Sequence, residues 1–137
     1  MARYLSPQQA LVYAMITISA VDRKMTDKEL ARIGTIVDEL PVFNGCDRDW
    51  LVEESQQCGK FLSKPEGLDK VLDLIAGGLT PNLSETAYVL AAEVAASDLK
   101  VDLAEVRFLE LLAEKLQLDK LTCAALERAA RARHQKA

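Results

Sequence analysis

Apolar residues recur along this chain at helical spacing, and no segment alternates convincingly with period two. Leu11, Met15 and Ile18, with Val12 and Ile16 beside them, form an apolar face running to about Val21. Ser6-Pro7-Gln8-Gln9 precedes it as a capping box with proline at the first helical position. Thr26-Asp27-Lys28-Glu29 is a second capping box, opening a helix through Leu30, Ile33, Val37 and Leu40 that Pro41 stops. Asn44-Gly45 marks a turn, and Asp47 caps a third helix carrying Trp50, Leu51, Cys58 and Phe61. Ser63-Lys64-Pro65-Glu66 reads as a third capping box before Leu68, Val71, Leu72 and Ile75, with Gly77-Gly78 ending that helix. A fifth helix starts at Thr80-Pro81 or at Ser84 and runs through Ala87, Leu90 and Val94. Asp102 and Glu105 cap a sixth, with Val106, Leu109, Leu112 and Leu116, and Asp119 caps a seventh that ends in a basic tail.

Part of this pattern occurs twice. Ala20-Val21-Asp22-Arg23-Lys24 leads to Glu29, and Ala96-Ser97-Asp98-Leu99-Lys100 leads to Glu105, at one offset of 76 residues (98 − 22 and 105 − 29). The same offset pairs Leu30 with Val106, Ile33 with Leu109, Ile36 with Leu112 and Leu40 with Leu116. Neither half can bury its apolar face alone, so the two are expected to pack together. The expectation is an all-α, compact bundle of about seven helices in one domain over 1–137. Its internal pseudo-two-fold relates halves at about 6–43 and 82–119.

Composition narrows the function classes. The net charge of −4 lacks the basic footprint of a general nucleic-acid binder. A local exception is Arg128, Arg131, Arg133 and Lys136, read as cations at a helix C-terminus. No apolar stretch approaches the ~18 residues of a membrane span, which leaves only peripheral membrane association open. The start of the chain reads as a helix start rather than a secretory signal. Cys46, Cys58 and Cys123 are odd in number, with no CxxC, and read as reduced, mostly buried thiols of a cytoplasmic protein.

Each repeated corner places an Asp at one helix end and a Glu in the first turn of the next. Asp22, Glu29, Asp98 and Glu105 therefore form a candidate oxygen-ligand set for a hard divalent cation, Ca²⁺ or Mg²⁺, or an acidic surface for a basic partner, with Asp27, Glu93 and Asp102 as further candidates. The spacing is not that of an EF-hand. The structural alternative is that both Glu residues serve capping boxes and both Asp residues make Asx turns. The only histidine, His134, lies three residues from the C-terminus and is expected to be mobile, so no Ser-His or Cys-His pair is legible. Gly77-Gly78 lacks the lysine of a phosphate loop. A non-enzymatic protein is expected, with a metal-assisted carboxylate hydrolase as the minor alternative. Its partners are expected to be other proteins. Trp50 and Phe61 are candidates to line a partner groove, against a core role.

The repeated Ala-x-Asp-x-x-x-x-x-x-Glu corner in an all-helical chain of this length resembles the tellurite-resistance TerB-like family, from about Leu11 to Leu118. In that family Gly typically follows the Asp; here Arg23 and Leu99 take those places. The resemblance implies a compact all-α fold with pseudo-two-fold symmetry, a cytoplasmic location and a role in tellurite and other stress responses. It also implies an acidic cluster with a metal or partner role. By position that cluster is Asp22, Glu29, Asp98 and Glu105.

Overall fold

The computed structural model describes residues 4–21, 25–97 and 102–137. Among them are seven α-helices: α1 Pro7–Ala20, α2 Asp27–Glu39, α3 Arg48–Leu62, α4 Gly67–Gly78, α5 Ser84–Ala96, α6 Leu103–Leu116 and α7 Lys120–Arg133. There is no strand among the described residues, and the all-α bundle expected from the periodicity is what the chain forms.

The local signals act through identifiable bonds. Ser6 and Gln9 complete the first capping box, with Gln9 N–H donating to Ser6 Oγ at 3.1 Å and Ser6 N–H to Gln9 Oε1 at 2.8 Å. Pro41 forces Leu40 out of the helical region to φ −85°, ψ 136°, and α2 stops one residue earlier. Asp47 and Asp119 cap α3 and α7 by accepting from the N–H groups of Trp50 at 2.8 Å and Thr122 at 2.6 Å. Those Thr122 bonds hold the Asp119 carboxyl below its ordinary range. Both candidate starts of the fifth helix are realised in part: Pro81–Leu83 forms a 3₁₀ turn and α5 begins at Ser84.

The third capping box is not formed. Ser63 belongs to the end of α3 instead, its N–H donating to Gly59 O at 3.0 Å and its hydroxyl to Lys60 O at 2.9 Å. The chain then reverses through Glu66, which takes the left-handed conformation at φ 58°, and α4 starts at Gly67. Gly77 and Gly78 are the last two residues of α4, where the sequence ends that helix.

α1 is the axis of the molecule. Every residue from Ala10 to Ser19 is buried, so the helix is enclosed on all sides and not on one apolar face as its large residues suggested. The small residues Ala10, Ala14, Thr17 and Ser19 let neighbours close over the rest. Thr17 meets Cys58 at 3.6 Å, and Ser19 returns its hydroxyl to Met15 O at 3.1 Å. α1 packs most extensively on α5, then on α4, α3, α2 and α6.

The offset of 76 is present in the helix boundaries. α1 ends at Ala20 and α5 at Ala96; α2 begins at Asp27 and α6 at Leu103. Contacts cross reciprocally, α1 touching α6 and α2 touching α5, as an approximate two-fold requires. The packing carries the relation one helix further than the sequence reading. α3 lies on α1 as α7 lies on α5, each capped by an Asp. Each of those interfaces also holds a glutamate: Glu54 accepts from Gln9 Nε2 at 2.8 Å, and Glu127 accepts from the Tyr88 hydroxyl at 2.6 Å.

Candidate acidic site

The two capping boxes of the repeat are closed. Thr26 N–H donates to Glu29 Oε1 at 3.1 Å, and Glu29 N–H donates back to Thr26 Oγ1 at 3.2 Å. Asp102 N–H donates to Glu105 Oε1 at 3.0 Å. Each box stabilises its helix start by about 1 kcal/mol. Glu29 is half-buried, whereas Glu105 is only 8% exposed. Of the proposed ligand set, Glu29 and Glu105 thus each commit an oxygen to backbone donors. Asp27 and Asp102 are exposed at the starts of α2 and α6. Asp22 and Asp98 lie outside the described residues, as do Lys24 and Lys100.

The described flanks of the two corners come together. Ala20 and Val21, at the end of α1, share one 270 Å³ groove with Ala104, Arg107 and Phe108 at the start of α6. Leu62 and Leu68, from the α3–α4 junction, help to close it. Among the described residues no three His, Cys, Asp or Glu side chains gather in a way that could hold a metal ion.

Glu93 is engaged elsewhere. Its Oε1 accepts an ion pair from Arg133 Nε at 2.5 Å, and His134 Nε2 stands 3.6 Å from the same oxygen. His134, expected to be mobile, is therefore tucked against α5, with its side chain 28% exposed. Lys28, Ala31, Arg32 and Thr35 on α2 complete a groove of 360 Å³ around this cluster. Sequence reading missed the cluster because its members are far apart in the chain. The available signal was Lys28 and Arg32, one turn apart on the polar face of α2.

Trp50 and Phe61 are partly buried against the core, Phe61 lying 6.4 Å from the Tyr13 ring. The thiols are free, with Cys58 and Cys123 buried and Cys46 half-buried. Burial pushes the Cys58 thiol from its ordinary 9.0 up to about 12; the Thr17 hydroxyl opposes this and the Glu54 charge adds to it. Cys58 therefore stays a thiol in the folded chain while the unfolded chain ionises. Its contribution to stability is complete below about pH 9 and is lost as pH rises from about 9 to about 12. That loss is of order 4 kcal/mol. Denaturant titrations across this window should show the decline, and Cys58→Ala should flatten it. Alkylation at neutral pH should mark Cys46 first and Cys58 only on unfolding.

No helix among the described residues is long and apolar enough to cross a membrane. Comparison with family models, curated proteins and solved structures finds no match to this chain.

Proposed function

We propose that the chain is a non-enzymatic binding module of the TerB-like, stress-response kind, acting in the cytoplasm. Its two acidic corners hold a divalent cation, Ca²⁺ or Mg²⁺, with Asp22 and Asp98 as the principal ligands. The observation that carries this reading is the shared groove. Residues that flank the first corner and residues that follow the second line the same depression. Each corner supplies carboxylate oxygens in its sequence, and such oxygens suit a hard divalent cation.

Calorimetry with Ca²⁺, Mg²⁺, Mn²⁺ and Zn²⁺ tests it. Saturable binding tighter than about 1 mM is expected, lost in Asp22→Asn with Asp98→Asn. A cation at about 100 times its Kd should add about 2.7 kcal/mol and raise Tm by on the order of 10 °C. Heats no larger than dilution for all four ions would exclude the cation.

A second reading has its own support, because Glu29 and Glu105 are both engaged in capping boxes. In it the corners are structural and the protein is a helical scaffold for protein partners. The Asp22→Asn, Asp98→Asn variant would then lose stability without any cation present and keep its partners in a pulldown.

A further inference from the structure

The duplication extends to the surface grooves, and there the two halves have diverged. One groove is lined on α2 by Lys28, Ala31, Arg32 and Thr35. The other is lined on α6 by Ala104, Arg107, Phe108 and Leu111, the same four positions 76 residues later. The α6 groove is closed by Leu62 and Leu68, whereas Arg133 and His134 close the α2 groove. At these matched positions α6 carries one charged residue, Arg107, whereas α2 carries Lys28 and Arg32.

The charges of the α2 groove are not mutually cancelled. Glu93 lines it, and Arg133 pairs with that carboxylate through Nε, with the arginine side chain still 70% exposed. Among the described residues neither Lys28 nor Arg32 has an ion-pair partner. The remaining acid, Glu39, lies seven residues beyond Arg32, about 10 Å along the helix axis. Lys28 and Arg32 therefore add two unpaired cations to the Arg133–Glu93 pair, beside the apolar Ala31 and Ile36, in a chain whose net charge is −4.

We propose that this groove, between α2, α5 and the end of α7, binds the oxyanion head of a small organic ligand, a phosphate or a carboxylate. Lys28, Arg32 and the outer edge of Arg133 hold the head, and Ala31 and Ile36 take its apolar body. Cationic side chains match such heads in charge and, for arginine, in fork geometry. The volume of 360 Å³ suits a small molecule.

The test is an NMR titration of the whole chain with phenyl phosphate, benzoate and inorganic phosphate. Saturable shifts are expected at 28–36 and 131–135, with phenyl phosphate at least about fivefold tighter than inorganic phosphate because only it fills the floor. Tightest binding of phenyl phosphate marks the head as phosphate; tightest binding of benzoate marks it as carboxylate. Arg32→Gln, and separately Lys28→Gln, should each weaken the better probe by about tenfold with an unchanged melt. Arg128→Gln, an exposed arginine outside the groove, should leave it within about twofold. Absence of saturation with all three probes would overturn the proposal. So would equal losses in Arg128→Gln and Arg32→Gln, which would mark a response to overall charge alone.

Discussion

Ile18→Ala should lower the unfolding free energy by about 2–5 kcal/mol. Ile18 is fully buried in a helix that is itself enclosed by five others. Truncation removes its transfer energy and leaves a cavity that rigid neighbours on all sides cannot close. A domain of this size has a stability of roughly 5–15 kcal/mol, so the loss is a large share. Leu121→Ala is the matched control. Leu121 is 82% exposed, and the change should stay within about 0.5 kcal/mol. Denaturant midpoints with unchanged m-values would establish both. Equal costs at the two positions would mean that α1 is not the centre of the core.

Gly67→Ala should be the most damaging substitution of a single methyl, costing about 1–3 kcal/mol or more. A Cβ at this position would stand 2.2 Å from Phe61 O and 2.9 Å from Leu62 Cα. Both are backbone atoms, so the end of α3 or the start of α4 must move. The displacement would open the α3–α4 junction, which supplies Leu62 and Leu68 to the apolar groove. Gly59→Ala, inside α3, meets nothing within 4 Å and should stabilise the protein by about 0.5–1 kcal/mol. Thermal melts of the two variants should therefore move in opposite directions.

Helix existence was legible because the apolar period and the caps agreed at most ends. Thr26, Asp47, Asp102 and Asp119 each cap the helix that the sequence assigns to them. Ser63 misled because a Ser-x-x-Glu spacing carries no information about what the preceding helix does. The end of α3 claimed Ser63 first, through Gly59 and Lys60. The burial of α1 on all sides was hidden because its rear is mostly Ala, Thr and Ser around the single large residue Tyr13. The repeat was legible through its corners, and its third helix was not, since α3 and α7 share a capping Asp, an interface Glu and their placement but no aligned apolar pattern at the 76-residue offset. Of the acidic set, the capping role of Glu29 and Glu105 could be read directly. The engagement of Glu93 by Arg133 could not, since 40 positions separate them in the chain.

The central claim is that the two corners act as one cation site. Paramagnetic broadening by Mn²⁺, followed amide by amide, tests it most directly. The account predicts that substoichiometric Mn²⁺ broadens Val21 and Met25 together with Ser97 and Leu103, and that Ca²⁺ or Mg²⁺ restores those signals. Broadening spread over isolated surface acids such as Glu85 and Glu66, with the corners untouched, would contradict it.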